Sequence, residues 1–112
     1  MSEKERKSTR LESDLFISYR LFDANDRVCE EGMAKTRDIS KSGVALENRT
    51  EFEIGSKVEL AIALSDELVK ANAVVRNSKK MSESAFLMGV EFTTLSDEDF
   101  DKLRAEFPEI SI

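Results

Sequence analysis

Apolar and polar residues alternate along much of this chain with a period of two, the pattern of β-strands that bury one face. The strand candidates lie at residues 15–22, 28–36, 43–46, 57–64, 69–75 and 86–92. Turn-forming clusters stand at 23–26, 53–56 and 65–67, and a polar loop is predicted over 77–84. Short strands and turns at this spacing predict a mainly β fold, either a small antiparallel barrel or a sandwich.

The C-terminal segment has the signals of one short helix at about residues 97–107. Ser96 and Asp99 form a capping box, in which the Ser96 hydroxyl accepts a hydrogen bond from the Asp99 amide. Pro108 ends the helix. An apolar stripe, predicted to pack on the strands, is formed by Phe100, Leu103 and Phe107.

The first thirteen residues differ from the rest of the chain. Residues 1–13 have no apolar period and are rich in basic side chains, so they are predicted to form an exposed, flexible arm. Residues 14–112 are then expected to form one domain, as is usual for a chain of 112 residues.

Charge and composition exclude several functions. A net charge of −6 disfavours DNA or RNA and anionic membranes as partners unless basic residues cluster. No apolar run is long enough to span a membrane and the N-terminus is not a signal peptide, so membrane insertion is not expected and the predicted compartment is the cytoplasm. One Cys and no His leave no disulfide framework, no Cys/His zinc site and no usual base for a nucleophile. We therefore expect no catalytic residues, no metal site and no cofactor.

Two clusters of residues carry candidate binding chemistry. Arg6 and Arg10 form an R-x-x-x-R on the predicted arm. A D-x-S-x-x-G just before a strand is formed by Asp38, Ser40 and Gly43. Taken alone, the first is also typical of a solvated terminal segment. The second is also typical of a turn in which Asp and Ser cap the backbone and Gly supplies positive φ.

Together the two clusters suit a ligand that contains guanine and phosphate. Arginine matches the O6 and N7 acceptors of guanine, and a carboxylate is the complementary acceptor for its N1–H and N2–H groups. A serine hydroxyl and a glycine backbone that allows close approach suit a phosphate. On an extended arm, Arg6 and Arg10 lie about 13 Å apart, far enough to reach two groups on one compact ligand.

This combination resembles the PilZ domain, and the resemblance covers nearly the whole chain, including residues 53–56, 88–92 and the C-terminal helix. PilZ domains are six-stranded antiparallel β-barrels that bind the bacterial second messenger cyclic di-GMP. The resemblance implies that Arg6 and Arg10 hold guanine edges and phosphates. It also implies that Asp38 reads a guanine edge, that Ser40 contacts the ligand near a phosphate, and that Gly43 keeps the loop open. Glu5 departs from the pattern, since some members carry another arginine there.

Further basic residues flank the two motifs. Lys7, Arg37 and Lys41 are possible secondary ligand contacts, because an arm folded over this strand end would create a basic pocket on an acidic body. The alternative is that these side chains only solvate the ends of strands.

The leading hypothesis is a cyclic di-GMP receptor that signals through ligand-switched contact with a downstream protein. The first alternative is a PilZ-like protein interaction module that acts without nucleotide, although such members generally lack the arginine pair. A second alternative, a barrel that binds single-stranded nucleic acid, fits poorly because aromatic residues are only 7% and Trp is absent.

Overall fold

The computed structural model describes residues 10–106, with side chains from Leu15 onward except that of Arg37. Six strands precede one helix. In chain order the elements are β1 (Arg10–Phe22), β2 (Val28–Ile39), β3 (Gly43–Asn48), β4 (Lys57–Ala63), β5 (Leu68–Ser82), β6 (Ala85–Thr94) and α1 (Asp97–Glu106).

The strands form a closed antiparallel barrel in the order β1-β2-β3-β6-β5-β4. Pairing of β1 with β4, from Ile17↔Ile62 to Leu21↔Val58, closes the cylinder. Closure removes the exposed sheet edges that a sandwich would retain. The predicted six-stranded barrel is thus confirmed over the sandwich.

The alternating apolar residues of all six strands point inward and form one core. Fully buried side chains of this core include Ile17, Leu46, Leu60, Ile62, Val75 and Met88. Phe52, from the segment between β3 and β4, packs on Tyr19 with ring centroids 4.9 Å apart. The period of two read from the sequence therefore identifies the buried face of the barrel correctly.

Two strand boundaries differ from the prediction. β1 begins at Arg10 rather than Leu15, so residues 10–13 belong to a strand instead of the arm, and residues 1–9 lie outside the described residues. The predicted loop over 77–84 is wrong, because β5 continues through Ser82 and pairs with the start of β6. Backbone pairing includes Arg10 in β1 and most of the β5 extension, and the β5 extension has no buried residue, so hydrophobic periodicity does not detect it.

The C-terminal helix agrees with its sequence signals. The Asp99 amide donates to Ser96 Oγ at 3.0 Å, as the capping box predicts. Phe100 and Leu103 are buried in the barrel core, whereas Phe107 lies outside the described residues. Within the described part of the chain, no helix has the length and apolar character needed to cross a membrane.

Candidate functional site

An open cleft of about 420 Å³ lies on the outer surface of the barrel, beside the β2–β3 connection. Its lining comes from β2, β3, β5 and β6. The polar and charged lining residues are Asp38, Ser40, Ser42, Arg76, Asn77 and Glu91. The entire D-x-S-x-x-G motif therefore lies in one surface depression.

Asp38 faces the cleft because of an irregularity in β2. The pairing of β2 with β3 shifts register between Lys35 and Asp38. Buried Thr36 pins this irregularity, since its hydroxyl donates to the Asp38 carbonyl at 2.9 Å and accepts from the Asp38 amide at 3.2 Å. Ala34 and Thr36 are buried, so strict alternation would also direct the Asp38 side chain into the core. The buried residue is Ile39 instead. The bulge thereby turns a carboxylate outward.

The Asp38 carboxylate has an unused acceptor. Its Oδ1 atom is buried, and no donor among the described residues lies within hydrogen-bonding distance of it. An unsatisfied buried acceptor costs about 1–3 kcal/mol. Because Asp38 also lines the cleft, its carboxylate is placed to receive a donor from a ligand.

The Ser40–Gly43 turn presents hydroxyl groups beside this carboxylate. The Ser40 amide donates to the Gly43 carbonyl at 2.9 Å, and the Oγ atoms of Ser40 and Ser42 lie 3.2 Å apart. The Ser42 carbonyl accepts from the Phe92 amide at 2.8 Å, which attaches the turn to β6. The two hydroxyls thus sit on a firmly anchored turn.

Gly43 is required by packing rather than by a special dihedral angle. It does not have the positive φ that the turn interpretation assigned to it, an angle that Gly55 does adopt. A Cβ on Gly43 would lie 2.3 Å from the Val90 carbonyl oxygen, a contact that only movement of β6 could relieve. Glycine lets the start of β3 approach β6 this closely.

The R-x-x-x-R motif reaches the same place through its second arginine. The backbone of Arg10 pairs with Asp38 across β1 and β2. Arg6 and Lys7 lie outside the described residues, and Arg37 occupies β2 immediately before Asp38. The two motifs, 28 residues apart in sequence between Arg10 and Asp38, are therefore neighbours in the sheet.

Lys41 has a partner in the helix. Its ammonium lies 3.0 Å from the Asp97 carboxylate, and both side chains are exposed. An exposed pair of this kind is worth at most about 1 kcal/mol. Any ligand contact by Lys41 would therefore compete with a weak ion pair to the first residue of α1.

Sequence analysis missed the residues that β5 and β6 contribute to the cleft. Arg76 Nε lies 2.6 Å from Glu91 Oε1. The Asn77 side chain accepts a hydrogen bond from the Gly89 amide at 3.1 Å. Asn77 lies in the stretch predicted as a loop, Glu91 lies in the last predicted strand, and neither position carried a sequence signal for binding.

A separate polar group, not part of the cleft lining, surrounds Tyr19. Its hydroxyl donates to Glu30 at 2.6 Å and accepts from Asn48 at 3.3 Å. Burial, followed by the hydrogen bond to Glu30, raises the pKa of Tyr19 above its ordinary value of 10.0, and the Asn48 donor opposes this shift. The phenol therefore stays protonated to a higher pH than that of an ordinary tyrosine.

Comparison with known families agrees with this geometry. The family model of the PilZ domain matches residues 4–107, nearly the full length of the chain. The chain belongs to the PilZ domain family. In this PilZ domain the matched region contains both motifs, the whole barrel and α1. No curated protein matches the chain.

Several solved structures share the fold of this PilZ domain. The Bacillus subtilis inhibitor of motility, MotI/DgrA, is 21% identical with a TM-score of 0.64, covering 88% of this chain and 46% of its own. MrkH of K. pneumonia is 18% identical with a TM-score of 0.67, covering 92% and 47%. The PilZ domain of CeSA from a cellulose-synthesizing bacterium is 15% identical with a TM-score of 0.57, covering 88% and 95%. The chain thus spans about half the length of MotI and MrkH and nearly all of the CeSA domain.

Proposed function

We propose that this protein is a bacterial cyclic di-GMP receptor that binds the dinucleotide in the cleft beside the β2–β3 connection. The observation that carries the proposal is Asp38, a cleft-lining residue whose carboxylate has an unsatisfied oxygen and whose backbone pairs with that of Arg10. Membership in a family of cyclic di-GMP receptors and adaptors supports the same ligand.

The cleft residues have complementary roles toward this ligand. Asp38 accepts hydrogen bonds from guanine N1–H and N2–H, which adenine does not offer in the same pattern. The hydroxyl of Ser40 donates to a phosphate oxygen, and Gly43 keeps β3 close enough to β6 to hold the turn in place. Arg6 and Arg10 supply hydrogen-bond donors and positive charge to guanine and phosphate, which offsets the net charge of −6 of the protein at the ligand. Lys7, Arg37 and Lys41 are secondary contributors of charge.

The output is contact with a downstream protein rather than catalysis. Ligand binding brings the segment that contains Arg6 onto the barrel, and the surface formed in this way is what the partner recognises. The proposed compartment is the bacterial cytoplasm.

Calorimetric titration with cyclic di-GMP tests the proposal, with GTP and single-stranded DNA as controls. We expect saturable binding of cyclic di-GMP alone, reduced at least about fivefold in Arg10→Ala and in Asp38→Ala. Absence of binding by the unmodified protein would favour the nucleotide-independent interaction module instead. Tighter binding of single-stranded DNA would favour the nucleic-acid alternative.

A further inference from the structure

One row of residues crosses four adjacent strands at the cleft. Asp38 on β2 pairs with Ala45 on β3, Ala45 pairs with Gly89 on β6, and Gly89 pairs with Asn77 on β5. Neighbouring strands lie about 4.8 Å apart, so the backbones of Asp38 and Asn77 are about 14 Å from each other. All four residues line the cleft. The row is therefore a trough with a polar residue at each end and two small residues as its floor.

Asn77 reaches the trough in the same way as Asp38. Along β5 the residues Val69, Ala71, Ala73 and Val75 are buried, and strict alternation would direct residue 77 inward as well. The pairing of β5 with β6 instead shifts register between Val75 and Asn77, and Arg76 and Asn77 are both exposed. Two bulges, one at each end of the row, thus turn two polar side chains out of the barrel and into one cleft.

The orientation of the Asn77 amide is fixed. The Gly89 N–H can donate only to Oδ1, so Nδ2 must point away from that contact. The lack of a side chain at Gly89 makes room for this amide, since a Cβ there would lie 2.7 Å from Oδ1 and 2.9 Å from Nδ2. Nδ2 makes no hydrogen bond to a described residue. Asn77 therefore presents two free N–H donors to the cleft.

We propose that Asn77 is a further ligand-binding residue. Its Nδ2 donates a hydrogen bond to an acceptor atom of the ligand, and Asp38 accepts hydrogen bonds from donor groups of the same ligand. The inference rests on the proposed function, because the ligand is cyclic di-GMP bound along the trough. The acceptor is either guanine O6 or N7, or a phosphate oxygen. Asp38 accepts at one end of the trough and Asn77 donates at the other. A ligand that hydrogen-bonds to both side chains must therefore carry both donors and acceptors.

The decisive variant is Asn77→Asp. An aspartate keeps the oxygen that accepts from the Gly89 amide and replaces only the free NH₂ group by an oxygen, so the bulge is retained while the ligand donor is lost. The matched control is Asn72→Asp, which makes the same charge change on the same strand but outside the cleft lining. Cyclic di-GMP affinity is measured by calorimetry for the unmodified protein and both variants.

We expect Asn77→Asp to bind about 10- to 100-fold more weakly and Asn72→Asp to bind within twofold of the unmodified protein. A loss that persists at high salt supports the lost hydrogen bond, whereas a loss that disappears at high salt is repulsion by the new charge alone and overturns the inference. If Asn77→Asp binds within twofold of the unmodified protein, the inference is overturned and the proposed function stands. If the unmodified protein does not bind cyclic di-GMP, both fall.

A second measurement does not depend on the folding of any variant. The side-chain amide resonances of Asn77 and Asn72 are followed by NMR while cyclic di-GMP is added to the unmodified protein. A shift of the Asn77 NH₂ signals that exceeds that of Asn72 supports the direct hydrogen bond. Equal, small shifts at both side chains would refute it.

Discussion

The Asp38 carboxylate is expected to destabilise the free protein while it enables ligand binding. Its buried Oδ1 has no donor among the described residues. Asp38→Ala removes the unsatisfied oxygen but keeps the Cβ, so little apolar burial is lost. An unsatisfied buried acceptor costs about 1–3 kcal/mol, and the lower half of that range applies to a half-buried residue.

We therefore expect Asp38→Ala to raise the free energy of unfolding by about 1–2 kcal/mol in the absence of ligand. For a domain of this size that corresponds to a rise in the melting temperature of roughly 4–8 °C. Glu31→Ala is the control, because it removes a carboxylate from an exposed position on the same strand and should leave stability nearly unchanged. Thermal and urea unfolding monitored by circular dichroism measure both variants.

Ligand should reduce this difference in stability, and it reverses the order if Asp38→Ala weakens binding by more than about 30-fold. At a concentration one hundred times the dissociation constant, cyclic di-GMP stabilises a protein that binds it by about 2.7 kcal/mol. The unmodified protein gains this amount, whereas an Asp38→Ala variant that binds about 5- to 150-fold more weakly gains about 1.8 to 0.3 kcal/mol at the same ligand concentration. An Asp38→Ala variant that is less stable than the unmodified protein without ligand, or equally stabilised by ligand, would refute the reasoning.

Three further predictions follow from particular contacts. Gly43→Ala should destabilise the barrel by about 1–3 kcal/mol in urea unfolding, because its Cβ would meet the Val90 carbonyl at 2.3 Å; an unchanged midpoint would show that β6 yields freely. Tyr19 should titrate above pH 10.0. Because the raised pKa belongs to the folded state, protonated Tyr19 contributes fully to the free energy of unfolding below about pH 10, and this contribution is lost as the pH rises further. Near-ultraviolet absorbance reports this titration directly because the chain has one Tyr and no Trp, and a midpoint at or below 10.0 would contradict it. Deletion of residues 1–9 should leave a cooperatively melting barrel that no longer binds cyclic di-GMP, since Arg6 is lost while every described element is retained; retention of full affinity would exclude Arg6 from the site.

Sequence reasoning predicts the barrel well where one face of a strand is buried. Ile17, Leu60 and Val75 sit in clean alternation, and this alternation alone identifies their inward direction. The helix was predictable because its cap is local, with Ser96 and Asp99 only three residues apart.

The polar half of the site could not be predicted in the same way. Asn77 lies in a part of β5 that is held by pairing with β6 rather than by burial, and such pairing leaves no periodic signal in one strand. The outward direction of Asp38 and Asn77 depends on two bulges, which are properties of strand register. The D-x-S-x-x-G spacing identified residues of one wall of the cleft, but the residues of the opposite wall could be identified only from the fold.

The most direct test of the central claim is calorimetric titration of the unmodified protein with cyclic di-GMP and cyclic di-AMP under identical conditions. Adenine carries a donor at N6 where guanine has the acceptor O6, and it lacks the N1–H and N2–H donors that would satisfy Asp38. The account predicts that cyclic di-GMP binds about 5- to 150-fold more tightly than cyclic di-AMP, the range expected for the loss of one bidentate contact. Equal affinities for the two dinucleotides would contradict guanine recognition at the Asp38 cleft.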